Sequence, residues 1–138
     1  MMDFKYCVWI IPKENHSWYN YTNGFIPHMT IKSKMNYSDA LNLYNSLKNQ
    51  NIQIKLDDKI TYSVEKDFHG LYFLCYTNLN LAWWPKNAHV SFRYNYDKSF
   101  TPEEIKKVES EVLVKDAELF EIKLVKCSGH FKNWIIIK

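Results

Sequence analysis

The chain has 138 residues, of which 46% are hydrophobic and 24% are charged, and its formal net charge is +3. This composition excludes a disordered protein, and the length fits a single domain with a buried core. No apolar run reaches the roughly 18–20 residues that cross a bilayer. The mild charge permits an anionic ligand but is far below that of a protein that binds duplex DNA.

Hydrophobic patterns and turn residues predict the elements in chain order. Strands are predicted over residues 4–11, 25–32, 52–64 (as one or two strands), 71–77, 88–94, 118–127 and 134–138. A first helix is predicted to begin with Ser38 as its N-cap and to end at residues 49–51. A second helix is predicted to begin with Thr101 as N-cap, Pro102 at the first position and Glu104 at the capping-box position, and to end near residue 112.

The order of these elements divides into two similar halves. Each half has a strand, a strand that contains a histidine, a helix and further strands, with no linker or low-complexity segment between the halves. We therefore expect an α+β fold in which residues 1–138 form a single domain with two lobes.

The two histidine strands carry the same short motif. The segment FIPHMTIK contains His28 and Thr30, and the segment NAHVSFRY contains His89 and Ser91. Because side chains alternate along a strand, the histidine and the hydroxyl residue of each motif share one face, and their apolar neighbours face the helix that follows. If the sheets of the two lobes face each other, two imidazoles and two hydroxyl groups meet across a cleft.

This set of groups suits the cleavage of a phosphodiester. One neutral histidine can accept a proton from an attacking hydroxyl group and the other can donate one to the departing oxygen, because a histidine pKa near 6.5 makes both forms available. The hydroxyl groups of Thr30 and Ser91 can donate hydrogen bonds to the non-bridging phosphate oxygens. No metal ion or other cofactor is needed. The close His or Cys spacing of a zinc site does not occur in the chain.

The paired HMT and HVS motifs, 61 positions apart, resemble the signature of the two-histidine (2H) phosphoesterases, the LigT-like group. The resemblance covers nearly the whole chain. It implies two antiparallel sheets that face each other across a central cleft, with helices packed outside, and it implies that His28, Thr30, His89 and Ser91 are the catalytic residues. Members of the family act without a metal ion on RNA 2′,3′-cyclic phosphates, on 2′-5′-linked oligonucleotides or on cyclic nucleotides.

Aromatic and basic side chains near the motifs are candidates for substrate binding. A ring in a connecting segment can stack on a nucleobase for about 1–3 kcal/mol. The candidate rings are those of Trp18, Tyr19, Trp84 and Phe131. Lys32 and Arg93 come two positions after the motif hydroxyls and are expected on the same strand face, where either could hold the phosphate. The competing interpretation is that the rings fill the core and that the cations lie in solvent beyond the sheet edge.

The cysteines and the start of the chain bear on its location. The three cysteines, Cys7, Cys75 and Cys127, lie far apart in apolar stretches. An odd and scattered set predicts buried free thiols in a reducing compartment. The first segment contains Asp3 and no small-residue cleavage site, which argues against a secretory signal. We therefore expect a cytoplasmic protein.

The resemblance favours a phosphodiesterase that cleaves 2′-5′ linkages, in 2′,3′-cGAMP or related cyclic dinucleotides or in 2′-5′ oligoadenylate. Small viral members of the family remove such messengers of host immunity. For this chain we therefore expect a monomer in the host cytoplasm that binds a small nucleotide or short oligonucleotide. The charge and the short apolar runs argue against binding to duplex DNA or to a membrane. The alternatives are an RNA 2′,3′-cyclic phosphodiesterase of the tRNA-processing type and a non-catalytic RNA- or nucleotide-binding module.

Overall fold

A computed structural model of the chain describes residues 4–13, 15–22, 25–50, 53–77, 82, 84–112, 115–117, 120–127 and 134–138. Its elements, in chain order, are β1 (Tyr6–Pro12), a 3₁₀ helix (Ser17–Asn20), β2 (Met29–Met35), α1 (Tyr37–Leu47), β3 (Ile54–Val64), β4 (His69–Tyr76), β5 (His89–Asn95), α2 (Pro102–Glu111), β6 (Asp116–Ala117), β7 (Phe120–Lys126) and β8 (Ile135–Ile136). The prediction of an α+β fold is confirmed.

The strands lie in one antiparallel sheet, in the order β6-β3-β4-β5-β2-β1-β7-β8. The resemblance to the 2H phosphoesterases predicts two separate sheets. The structure has one, because the two histidine strands β2 and β5 pair with each other at its centre, where Met29 lies opposite Val90. Each half of the sheet therefore begins at this junction and extends outward, with β5-β4-β3-β6 on one side and β2-β1-β7-β8 on the other.

The two α-helices cover one face of the sheet. Helix α1 contacts β1 and β7, and helix α2 contacts β3. The main buried cluster joins both helices to the strands, and among its members are Val8, Ile10, Met29, Ile31, Ala40, Leu47, Leu71, Phe73, Val90, Phe92 and Val108. The apolar neighbours of both motifs thus face the helices, as the alternation predicts. The histidine and hydroxyl side chains of the two motifs therefore lie on the opposite face of the sheet.

The helix starts show how local sequence sets the boundaries. Helix α2 has the predicted capping box: the Glu104 amide donates to Thr101 Oγ1, and the Thr101 amide donates to Glu104 Oε1, each over 3.1 Å. The hydrogen bond from the Thr101 amide, followed by one from the Thr101 side chain, holds the pKa of the exposed Glu104 carboxyl below its usual range. Helix α1 begins earlier than predicted, because Asn36 Oδ1 accepts a hydrogen bond of 2.8 Å from the Asp39 amide and Asn36, not Ser38, is the N-cap.

The cysteines differ in part from the expectation. Cys75 is a free, buried thiol, and burial raises its pKa to about 12. Cys7 and Cys127 instead form a disulfide between β1 and the end of β7, with their Cα atoms 6.5 Å apart. The prediction of free thiols is therefore wrong for this pair, which the neighbouring strands β1 and β7 bring together over 120 positions of sequence.

Helices long and apolar enough to span a membrane were sought in the described ranges, and none was found there.

Candidate active site

The two motifs meet at the junction of β2 and β5. The strands are antiparallel and pair at Met29 and Val90. Continued by one residue in each direction, this register puts His28 across from Ser91 and Thr30 across from His89. The motifs thus supply two imidazoles and two hydroxyl groups to one patch of the sheet, on the face away from the helices. Ser91 is 9% exposed, whereas the ring of His89 lies open to solvent.

Both imidazoles are held in the same way by the backbone. His28 Nδ1 lies 2.8 Å from the carbonyl oxygen of Ile26, and His89 Nδ1 lies 3.1 Å from the carbonyl oxygen of Asn87. A carbonyl oxygen can only accept, so Nδ1 carries the hydrogen in each ring. In the neutral form Nε2 is then the free acceptor, and in the charged form it is a donor. Asn87 has a φ of 59°, a left-handed conformation that asparagine tolerates better than most residues.

Each imidazole also has an aromatic neighbour on the adjoining outer strand. The indole of Trp9 in β1 stacks on His28, with the ring centroids 3.8 Å apart and the planes 14° apart. The ring of Tyr72 in β4 lies 4.5 Å from that of His89. Trp9 pairs with Thr30 and Tyr72 pairs with Ser91, so the two rings hold equivalent positions in the two halves. The twofold pattern of the motifs therefore extends to the strands that flank them.

Burial of His28 distinguishes it from His89. The half-buried His28 ring is desolvated, and this lowers its pKa from 6.5 to about 4, against the opposing effect of the Ile26 carbonyl and with a smaller contribution from repulsion by His89. At neutral pH the ring is uncharged, with Nε2 able to accept a proton. The two histidines are thus equivalent in backbone geometry and different in environment.

A β-bulge follows the hydroxyl residue in both motif strands. In β2, Thr30 lies opposite Trp9, but the next pair outward joins Lys32 to Val8. In β5, Ser91 lies opposite Tyr72, and the next pair joins Arg93 to Leu71. Ile31 and Lys32 therefore share the single cross-strand partner Val8, and Phe92 and Arg93 share the single partner Leu71. Such an extra residue breaks the alternation of side chains.

The bulges overturn the expectation that the two cations share a face with the motif hydroxyls. Lys32 and Arg93 turn toward the helix-covered side, because their partners across the ladder face the core. Arg93 forms an ion pair of 3.5 Å with Glu111 of α2, and the side chain of Lys32 is exposed. Neither cation lies beside the hydroxyl of its own motif.

The structure describes three of the four candidate rings and excludes one of them from contact with a base. Trp18 is 0% exposed, and its ring packs edge-on against Phe92 in the core, so the prediction that it stacks on a base is wrong. Tyr19 is part-buried and donates its hydroxyl hydrogen to the Pro12 carbonyl over 2.6 Å. Trp84 packs against the main core on the helix side. Phe131 lies outside the described residues.

The structure instead shows a pocket beside His89 that the sequence did not reveal. Its volume is about 140 Å³, and it is lined by Ser63, Glu65, Phe68, Gly70, Tyr72, His89, Ser91 and Tyr94. The phenol of Tyr94 is hydrogen-bonded to the side chain of Ser91, and burial raises the Tyr94 pKa. Tyr94 comes three positions after Ser91, so strict alternation would place it on the other face, and only the bulge brings it into the site. The bulge depends on the pairing of β5 with β4, which no local pattern specifies.

Neither the potential metal ligands among the described residues nor comparison with known proteins narrows the function of the chain. Over the ranges of the chain that the structure describes, no group of three or more His, Cys, Asp or Glu side chains is placed to hold a metal ion. Comparison with protein families and with characterised proteins finds no family model and no protein that matches the chain.

Proposed function

We propose that the chain is a nucleotide phosphodiesterase of the two-histidine type that cleaves 2′-5′ phosphodiester linkages without a metal ion. The observation that carries the proposal is the pair of imidazoles on adjoining strands, each with Nδ1 bonded to the backbone carbonyl two residues earlier and each beside a motif hydroxyl. The resemblance of the HMT and HVS motifs to the 2H phosphoesterases points to the same chemistry. No metal enters the proposal, because the four side chains can supply a base, an acid and two hydrogen-bond donors.

The first step begins at His28. Its ring is neutral at pH 7 since burial lowers its pKa to about 4, and Nε2 accepts the proton of the ribose 3′-hydroxyl. The 3′-oxygen attacks the adjacent phosphorus, and the bond from phosphorus to the departing 5′-oxygen breaks. His89, which is exposed, acts as the general acid and donates a proton from Nε2 to that oxygen. The products are a 2′,3′-cyclic phosphate and a free 5′-hydroxyl group.

The two hydroxyl residues hold the phosphate during this step. Thr30 and Ser91 donate hydrogen bonds to the non-bridging oxygens, where negative charge increases as the new bond forms. The Tyr94 phenol, bonded to the Ser91 side chain, orients that hydroxyl. Water, activated by the same groups in exchanged roles, can then open the cyclic phosphate.

The two-lobed cleft implied by the family resemblance belongs to the same proposal. The halves of the sheet meet at one pair, Met29 with Val90, and each half carries one motif. In this proposal each half forms one wall of the substrate site. The resemblance further leads us to propose that the substrates are 2′-5′-linked immune messengers, cyclic dinucleotides or oligoadenylates.

The test is a substrate panel with identified products. It contains cyclic dinucleotides with a 2′-5′ linkage, 2′-5′ oligoadenylate and 2′,3′-cyclic mononucleotides. Wild type should cleave the 2′-5′ linkages, and His28→Asn and His89→Asn should abolish cleavage. His69→Asn is a matched control, because the His69 ring bonds Tyr62 on the helix side of the sheet over 2.7 Å.

Each alternative function predicts a different result in this panel. Hydrolysis of 2′,3′-cyclic mononucleotides alone would indicate an enzyme of the tRNA-processing type. Nucleotide binding without cleavage, unaffected by either site variant, would indicate a binding module and refute the proposed activity.

A further inference from the structure

The pocket beside His89 has the size and lining of a subsite for one planar ring. Its volume of about 140 Å³ is well below the roughly 300–1,000 Å³ of a pocket that encloses a drug-sized ligand. It shares His89 and Ser91 with the catalytic patch, so a ring bound there must belong to a group close to the reacting phosphate. A nucleobase, which is joined to the phosphate through its ribose, meets both conditions.

Aromatic side chains form the walls of this pocket. Phe68 and Tyr94 contact each other edge to face, with their ring centroids 5.5 Å apart. Tyr72, on β4, also lines the pocket, on the side of the catalytic patch. Gly70 is the floor: a Cβ atom there would lie 3.7 Å from the ring of Phe68 and 3.8 Å from that of Tyr94. Rings bind any base, because every base presents a π-face. Selection among bases must come from the polar lining.

At the end of the pocket away from His89 and Ser91, the polar lining includes a carboxylate held by a hydroxyl. Ser63 Oγ donates a hydrogen bond of 2.6 Å to Glu65 Oε1. Both residues lie where β3 turns into β4, and the turn is closed by a bond of 2.8 Å from the Glu65 amide to the Phe68 carbonyl. The carboxylate is thus fixed at the rim of the pocket, with lone pairs on Oε2 still available to accept.

The carboxylate favours one base on chemical grounds. Guanine presents two adjacent donors on its Watson–Crick edge, N1–H and the N2 amino group, and a carboxylate can accept from both. Adenine and cytosine present one amino donor beside a ring nitrogen that needs a donor. Ser63 could supply that donor only by giving up its bond to the charged carboxylate, which is the stronger of the two bonds. Uracil offers a single donor.

We infer that this pocket binds the guanine base of the nucleoside on the His89 side of the scissile phosphate, with Glu65 as the residue that selects it. The inference rests on the proposed function and narrows its substrates to 2′-5′ linkages whose departing 5′-oxygen belongs to guanosine. Oligoadenylate and 2′,3′-cGAMP, in which that oxygen belongs to adenosine, should then be poorer substrates. Since His89 protonates the departing 5′-oxygen in that scheme, the guanosine is the nucleoside that leaves.

Three 2′-5′-linked dinucleotides test the inference: adenylyl-adenosine, adenylyl-guanosine and guanylyl-adenosine. Hydrogen bonds to a charged group typically change selectivity by roughly ten- to a hundredfold, and an exposed carboxylate lies at the lower end. Wild type should therefore prefer adenylyl-guanosine over adenylyl-adenosine by about tenfold in kcat/KM. Glu65→Gln should remove the preference, because the amide replaces one acceptor with a donor that opposes the guanine edge.

Asp67→Asn is the matched control. It removes a carboxylate from the same exposed turn, at a residue that does not line the pocket, and should leave the preference unchanged. A guanine preference at the attacking position instead, also lost in Glu65→Gln, would retain the guanine subsite and exchange the roles of the two histidines. No preference for guanine at either position, or one that survives in Glu65→Gln, would overturn the inference.

A binding measurement separates failure of the subsite from failure of the proposed activity. NMR titration with 5′-GMP and 5′-AMP follows the ring signals of Tyr72 and Tyr94 without any cleavage. Tighter binding of 5′-GMP, lost in Glu65→Gln and kept in Asp67→Asn, supports the guanine subsite even if none of the dinucleotides is cleaved. Equal binding of the two nucleotides overturns it even in an active enzyme.

Discussion

His28 should make the protein less stable in acid, by an amount that its environment sets. Its pKa is about 4 in the folded protein and near 6.5 in an unfolded chain. As the pH falls through this window, the unfolded chain takes up a proton that the folded protein excludes, so the free energy of unfolding decreases. Between about pH 7 and about pH 4.5, linkage makes this decrease about 2 kcal/mol.

The variant His28→Asn isolates this contribution. Asparagine retains an amide that can donate to the Ile26 carbonyl but has no proton to gain in this pH range. The free energies of unfolding are measured by urea unfolding of both proteins at the two pH values. Because the two proteins have the same carboxylates, the contribution of carboxylate titration cancels in the difference between them. The stability advantage of wild type over the variant should shrink by about 2 kcal/mol on acidification, and the ring signals of His28 should titrate well below the usual pH. Parallel stability curves for the two proteins would refute the desolvation argument.

Four further predictions concern the reaction. Trp9→Leu should raise the pKa of His28 toward its ordinary value, because the indole covers the imidazole at 3.8 Å; the acid limb of the pH–rate profile should then move to higher pH, and an unmoved limb would contradict this role of Trp9. Thr30→Val and Ser91→Ala should each lower kcat by about 10²–10³-fold, as for the loss of one oxyanion donor; near-normal rates in folded variants would show that these hydroxyls do not hold the phosphate. A 2′-5′ substrate whose attacking 3′-hydroxyl is replaced by hydrogen should resist cleavage, and undiminished cleavage would mean that water attacks directly. Activity should persist in excess EDTA, and a loss that a divalent ion restores would rule out the metal-free mechanism.

The parts of the fold that follow from short-range chemistry could be predicted from the sequence. The capping box of α2 needs only Thr101, Pro102 and Glu104, and the alternation around the motifs correctly placed Met29 and Val90 toward the helices. These features depend on residues within a few positions of one another, so the interactions that form them can be recognised directly in the sequence.

The features that depend on strand pairing could not be predicted. Trp18 lies in a polar, turn-rich segment and is nevertheless enclosed by the core, whereas Trp9 lies in an apolar strand and covers His28 on the opposite face. Both placements depend on which strands become neighbours. The Cys7–Cys127 pair and the pocket wall contributed by Tyr94 depend on register in the same way.

The two bulges determine how the motif strands tolerate a change in length. Because Ile31 and Lys32 share one partner, and Phe92 and Arg93 share another, each strand has one more residue than strict pairing would need. Deleting that residue would restore regular alternation, and every other side chain of the strand would keep its face. In β5, Tyr94 would then stand two positions after Ser91 and would stay on the pocket side. A single-residue deletion at either bulge should therefore damage the protein less than a deletion elsewhere in the same strand, which would invert the side chains that follow it.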